Sequence, residues 1–191
     1  MSDCLKLVLP TLLVITLVAL AYKLLGPIPA IVFLVAFGGG LVLYINTTWR
    51  AEFDTTKIIQ PYLLTVLFFM VHTFEEYVTN FEDTVSRMAG RSLSESGVLF
   101  IIAWIAPIMW VGGALLLIKR WAFGYYFLCA FFVAMVISEL SHYVFPFMID
   151  GTFHYESGMY TALLPLLPAA YGLHIMLREV KSIQVLQRTH Q

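Results

Sequence analysis

The sequence has 191 residues, of which 60% are hydrophobic and 12% are charged, whereas about 25% are charged in ordinary soluble domains. Its formal net charge is −1 with 11 lysines and arginines, so it offers no basic surface that could neutralise nucleic-acid phosphates. This composition excludes a soluble globule, a disordered chain and a nucleic-acid-binding protein. It indicates a polytopic membrane protein instead.

Apolar runs separated by short polar breaks predict an all-α membrane bundle with about six transmembrane helices. In chain order the runs cover residues 7–25, 30–44, 58–80, 97–118, 121–145 and 158–177. A run of about 20 residues crosses the hydrocarbon core of a bilayer at 1.5 Å per residue. No internal repeat or long linker divides the sequence, so residues 1–191 are predicted to form a single domain. The first run is interpreted as an uncleaved span, because Lys6 alone makes a weak signal-peptide start.

Lysine and arginine residues are distributed unequally between the two sides of the predicted bundle. Eight fall on the side of both termini: Lys6, Arg50, Lys57, Lys119, Arg120, Arg178, Lys181 and Arg188. Three fall on the opposite side: Lys23, Arg87 and Arg91. The positive-inside rule therefore predicts that both termini are cytoplasmic.

Five ionisable side chains interrupt the third and fifth apolar runs: His72, Glu75, Glu76, Glu139 and His142. Each such group costs about 2.5–3.5 kcal/mol at the centre of a membrane helix on insertion scales. Several of them together would cost as much as the whole stability of a typical domain. They must therefore be paired, neutralised, hydrated or bound to a cation.

The spacing of these residues places each cluster on one helical face. Glu75 and Glu76 follow His72 at positions i+3 and i+4, and His142 follows Glu139 at i+3. A Glu-x-x-His pair is the unit that supplies ligands in dimetal carboxylate bundles. The third and fifth spans run in the same direction, so both clusters are predicted at the same, non-cytoplasmic end.

The connection formed by residues 147–157 returns to that end and carries a further imidazole, His154. Three imidazoles and three carboxylates are thus predicted to converge: His72, His142, His154, Glu75, Glu76 and Glu139. Without a thiolate, this set suits zinc, iron or manganese, as one ion or two. A hydrated interfacial pair and a metal-free proton relay are the alternatives. The charged residues between the third and fourth spans, among them Glu82 and Arg87, are predicted to form a solvated loop.

Residues 72–76 read H-x-x-E-E. Together with the Glu139 and His142 pair and the segment Y-E-S-G-M-Y-T at residues 155–161, they resemble the HXXEE family of integral membrane proteins. The resemblance implies that these residues form a site, and it implies no particular reaction. The H-x-x-x-E spacing of His72 and Glu76 also resembles the acid/base helix of the emopamil-binding sterol isomerases.

These features predict a membrane metalloenzyme that hydrolyses or oxidises a lipophilic small molecule or lipid with zinc or iron. Glu76 and Glu139 are the predicted catalytic residues, with Glu76 bridging metals or acting as general base toward a bound water. One alternative is a metal-free isomerase or cyclase in which buried carboxyl groups transfer protons. Another is a proton or metal transporter, although the polar groups lie only toward one end of the spans.

Overall fold

The computed structural model describes residues 3–49 and 53–189, and all regular secondary structure in these ranges is helical. The α-helices are α1 (Asp3–Leu25), α2 (Pro27–Phe33), α3 (Gly39–Asn46), α4 (Thr56–Val78), α5 (Phe81–Ala89), α6 (Glu95–Phe100), α7 (Ala106–Ile118), α8 (Ala122–Ser141), α9 (Phe145–Asp150) and α10 (Leu163–Thr189). Two π-helical segments, Leu34–Gly38 and Ile101–Ile105, join α2 to α3 and α6 to α7. The predicted all-α fold is confirmed.

Five helices in the described ranges are long and apolar enough to cross a membrane, whereas the sequence predicted about six. They are Asp3–Leu25, Pro27–Asn46, Thr56–Val78, Ile101–Ile118 and Ala122–Ser141. These helices are compatible with a multi-pass membrane protein. The predicted sixth span starts later than expected, because residues 157–162 form turns and α10 begins only at Leu163. Its apolar run contains His174 and is followed directly by Arg178 and Glu179 within α10.

Helix α10 runs antiparallel to α4 through the depth of the bundle. Near the end of α4, Glu75 accepts hydrogen bonds from Thr161, just before α10 begins. Near the start of α4, the Lys57 ammonium lies 3.0 Å from the Glu179 carboxylate. These two contacts are about 27 Å apart along either helix at 1.5 Å per residue. Helix α10 therefore holds residues 155–161 against the end of α4.

Helix α8 forms the centre of the bundle, with most of its side chains buried. Its neighbours approach closely where glycines lack a side chain. A Cβ on Gly40 would overlap the backbone of Ala130. Helix α3 therefore packs directly against α8.

The segment that was predicted to be a solvated loop instead forms the amphipathic helix α5, and this prediction was wrong. Thr84, Val85 and Met88 are buried, and Arg87 pairs with Asp150 of α9 and with Glu156. The segment contains many charged residues, and the few apolar residues at helical spacing that form its buried face were therefore overlooked. Together with α9 and residues 151–162, helix α5 covers the end of the bundle where His72 and His142 lie.

Candidate metal centre

The last turns of α4 and α8 bring four of the predicted residues together in the interior. His72 and Glu76 lie one turn apart on α4, and Glu139 and His142 lie at the end of α8. All four are buried, with His72 and Glu139 each only 1% exposed. The predicted convergence of the two helical clusters is therefore observed in the fold.

Three ligand atoms form a compact triangle within this group. The Nε2 atoms of His72 and His142 are 3.2 Å apart. Oε1 of Glu76 lies 3.6 Å from Nε2 of His72 and 3.5 Å from Nε2 of His142. These three residues form a group that could hold a metal ion. A tetrahedral site with bonds of about 2.1 Å has edges of about 3.4 Å, which matches the observed triangle.

The hydrogen bonds of the two imidazoles leave both Nε2 lone pairs directed toward each other. Nδ1 of His142 lies 2.8 Å from the Ser157 carbonyl, which only accepts, so Nδ1 carries the proton. Nδ1 of His72 lies 3.0 Å from the Thr161 hydroxyl, which donates its own proton to Glu75 at 2.5 Å. Nδ1 of His72 is therefore also the protonated nitrogen. If both imidazoles are neutral, neither Nε2 atom carries a proton, and a bound cation would satisfy both of them.

A second carboxylate flanks this triangle. Oε2 of Glu139 lies 3.2 Å from Nε2 of His72, yet it has no hydrogen-bond partner among the described residues. The other oxygen, Oε1, accepts a 3.4 Å hydrogen bond from Ser138. A buried acceptor without a donor is destabilising, and its presence in a native structure calls for a ligand, a proton or a water.

Glu75 does not face the triangle, although it was predicted to be a ligand. Its carboxylate accepts hydrogen bonds from the Tyr155 hydroxyl at 2.7 Å and from the backbone N–H of Tyr160 at 3.1 Å. It also accepts from the backbone N–H and the hydroxyl of Thr161. Both oxygens are thus occupied by residues 155–161. Glu75 fixes this segment over the site.

His154 lies in a separate group, and the predicted convergence of all six residues is not observed. Its Nε2 is 2.8 Å from Glu156 and 3.2 Å from Asp150, and these three residues could also hold a metal ion. However, the Arg87 guanidinium already contacts both carboxylates and supplies the positive charge that a metal would supply. Burial raises the pKa of Glu156, but hydrogen bonds from Thr84, Arg87 and His154 outweigh it, so the pKa lies below its ordinary value.

Gly158 allows the covering segment to lie directly on both imidazoles. Its φ of +90° is unfavourable for any residue with a side chain. A Cβ at this position would lie 2.5 Å from His142 and 2.9 Å from His72. Only glycine therefore brings the Ser157 carbonyl and the Thr161 hydroxyl to the two rings.

Reasoning from the sequence missed the direct roles of Thr161, the Ser157 carbonyl and Gly158. The only signal for them was the segment at residues 155–161, which was noted for its resemblance and not for its chemistry. Two further residues contact this region: Ser138 donates to Glu139, and Tyr143 donates to the Met159 carbonyl at 2.8 Å.

The centre forms the polar end of a cavity of about 160 Å³. His72, Glu76, Glu139 and His142 line this end. Apolar side chains form most of the remaining wall: Leu25, Pro29, Val32, Phe33, Phe69, Phe81, Val85, Met88, Val98, Ile101, Ile102 and Phe145. The arrangement thus combines a small polar centre with an apolar chamber.

The family model described as protein of unknown function with HXXEE motif matches residues 63–172. The matched region contains all four residues at the centre and the covering segment at 155–161. Comparisons with curated proteins and with solved structures find no match.

Proposed function

Since the chain belongs to the HXXEE family, whose description assigns no reaction, we propose from the geometry that it is a membrane-embedded, metal-dependent hydrolase of a lipophilic substrate. His72, Glu76 and His142 would hold one divalent metal. The observation that supports this proposal best is the triangle of ligand atoms with edges of 3.2, 3.5 and 3.6 Å.

Zinc is the metal that this donor set fits best. Catalytic zinc sites commonly have three protein ligands, often two imidazoles and one carboxylate, and keep a fourth position open. The edges of the triangle are close to the edges of about 3.4 Å in a tetrahedral site. An octahedral site with bonds of 2.0–2.1 Å would have shorter edges, of about 2.9 Å. The same donors also suit non-haem iron, in which case oxidation would replace hydrolysis.

The residues of the centre divide into those that hold the metal and one that moves a proton. A bound zinc lowers the pKa of a water ligand to about 7 and polarises a carbonyl. Oε2 of Glu139 has no hydrogen-bond partner among the described residues, and it would accept the proton from the attacking water and return it to the leaving group. Ser157 and Thr161 keep both imidazoles in the ligating tautomer.

The apolar cavity wall selects a lipophilic substrate. A polar molecule would lose its hydration among Phe33, Phe69 and Ile102 without gaining hydrogen bonds. An apolar group placed there is favoured by about 25 cal/mol for each Å² removed from water. We infer that the scissile bond meets the centre while apolar parts of the substrate fill the chamber.

Metal analysis of protein purified without added metal tests the proposal. We expect about one zinc per chain in the wild type and a large loss in His142→Ala. His174→Ala is the control, because His174 lies on α10 and is not one of the residues of the centre. This variant should retain the metal. Negligible metal in the wild type, with activity unaffected by chelators, would contradict the proposal and favour metal-free acid/base chemistry.

We also propose that both termini face the cytoplasm and that the centre lies toward the opposite side of the membrane. The Lys and Arg distribution supports this orientation, although Arg50 lies outside the described residues. Cys4 is exposed and reports on the N-terminal side. In sealed cells, an impermeant thiol reagent should label Thr152→Cys from outside and should leave Cys4 unlabelled. The reverse pattern would overturn the orientation.

A further inference from the structure

The chamber at the metal centre continues into a second cavity of about 180 Å³. Six residues line both cavities: Val32, Phe33, Phe69, Ile101, Ile102 and Ser138. Because they share these walls, the two cavities are adjacent, and together they outline one slot. The slot leads from the His72 centre toward Trp110, which lines the second cavity only.

The length and lining of the slot fit an extended hydrocarbon chain. Ile101 lines both cavities and Trp110 lines the deeper one. These residues are at most about 13 Å apart along the helix, because the π-helical segment Ile101–Ile105 rises less per residue than an α-helix. Apart from Ser138, the residues lining the deeper cavity are apolar or aromatic. Such a slot stabilises an alkyl chain by burial. Its polar groups are few: the Ser138 hydroxyl and the Trp110 indole N–H, which has no hydrogen-bond partner among the described residues.

Both π-helical segments of the described chain border the deeper cavity. Leu34–Gly38 contributes Ala36 and Phe37, and Ile101–Ile105 contributes Ile101, Ile102 and Ile105. Single π-turns inside α-helices are rare and are frequent at functional sites. Their presence on two walls of the same cavity is an observation independent of the metal ligands.

The slot is partly exposed along its side and covered at its metal end. Val32 and Ile102, which line both cavities, are half-buried, while the nearby Ile31 and Trp104 are exposed on the apolar outer surface. This side, between α2 and Ile101–Ile105, is where a chain would enter from lipid. At the metal end, side chains of α5 and α9 line the cavity and cover the site.

We propose that the substrate is a single-chain amphiphile, a long-chain ester or amide whose unbranched tail lies in the slot and ends near Trp110. The head-group part rests on the proposed function, whereas the tail site rests on the cavities alone. In the reaction, water breaks the single bond between the acyl carbon and the ester oxygen or amide nitrogen. Its hydroxyl joins the acyl carbon, and its proton goes to the leaving oxygen or nitrogen. The products are a carboxylic acid and an alcohol or amine, and no oxidant or reductant is consumed.

Photolabelling tests the tail site in the full chain, purified in detergent. The probe is a long-chain N-methyl amide with a diazirine at the end of its tail, and labelled residues are mapped by mass spectrometry. We expect labels on Met109 and Trp110, displaced by excess unlabelled long-chain amide and not by a short-chain amide. Ala106→Leu, which narrows the deep cavity, should reduce labelling about tenfold.

Ala103→Leu is the matched control, because Ala103 lies on the exposed side of the same segment and lines neither cavity. Its labelling should equal that of the wild type. Ala36→Val narrows the slot from the opposite wall and should also reduce labelling, which guards against a folding defect in one variant. Labels confined to lipid-facing residues such as Trp104, or labelling unchanged in both narrowed variants, would overturn the proposal.

The same experiment in His142→Ala separates the two proposals. The deep labels should persist in this variant even where metal is lost, because the tail site does not require the metal. If the wild type holds zinc but shows no labels in the deep cavity, the tail site is refuted and the metal centre is not. Deep labelling of a protein that never holds metal would support the tail site and refute the hydrolase proposal.

Discussion

The Nε2 atoms of His72 and His142 face each other at 3.2 Å, while each Nδ1 is occupied by a partner on the segment that covers the site. Residues 157–161 therefore help to orient both rings. Glu75 anchors this segment from α4. Changes in the covering segment should consequently alter metal binding, although its side chains do not enter the ligand triangle.

Thr161→Val should weaken zinc binding about 10- to 100-fold, the range typical of losing a partner that orients a ligand. The substitution removes the acceptor for Nδ1 of His72 and one donor to Glu75. Competition with a chelator of known affinity measures the change. Thr161→Ser should restore most of the affinity. Thr73→Val, which removes a hydroxyl bonded only to the Met70 carbonyl, is the control; equal losses in the two valine variants would contradict the role of Thr161.

Gly158→Ala should lose bound metal as well as stability. The new methyl group would overlap His142 and His72, so the rings must move apart or the covering segment must lift. Gly151→Ala is a matched control, because Gly151 also has a positive φ but a Cβ there meets nothing within 4 Å. Metal analysis and thermal unfolding should show both defects in Gly158→Ala and only a modest stability loss in Gly151→Ala. A Gly158→Ala protein with full metal content would refute the packing argument.

Glu139→Gln should keep the metal but lower hydrolysis of a long-chain p-nitrophenyl ester about 10²- to 10⁴-fold, the usual contribution of a general base. An amide oxygen has the shape of the carboxylate oxygen but accepts a proton poorly. Glu76→Gln should reduce both metal content and activity. Asp83→Asn, an exposed change on α5, should alter neither. If Glu139→Gln loses its metal, the residue is a ligand and not the base.

Glu156→Gln should remove a pH-dependent part of the stability. The pKa of Glu156 is lower in the folded protein, so its charged form stabilises the fold above the ordinary pKa of 4.5. In the wild type this contribution is lost as the pH falls from about 4.5 through the lowered folded pKa. Thermal unfolding measured against pH should show this loss in the wild type.

The Glu156→Gln protein should be less stable near neutral pH, because Arg87 loses its buried partner. Its unfolding temperature should change less than that of the wild type below pH 4.5, the ordinary carboxyl value. Glu82→Gln, on the same short helix as Arg87, should retain the wild-type profile. Parallel profiles for wild type and Glu156→Gln would show that the Arg87 cluster does not stabilise the covering segment.

The sequence alone determined that the chain forms an apolar helical bundle and that two helices carry ionisable clusters at one end. The apolar composition indicates that the helices are surrounded by lipid. The helical period places His72 and Glu76 on one face of their helix, and Glu139 and His142 on one face of theirs. These features are local and need no tertiary contact. The parallel direction of the third and fifth spans then follows from counting the crossings.

Only the tertiary structure decided which of two adjacent carboxylates faces the centre. Glu75 and Glu76 differ by about 100° around α4, and the sequence does not fix how a helix is rotated against its neighbours. Packing against α8 and α10 directs Glu76 to the imidazoles and Glu75 to Thr161. The path of a connecting segment likewise depends on tertiary contacts that the sequence does not show. His154 was therefore expected at the centre, whereas it contacts Glu156 instead.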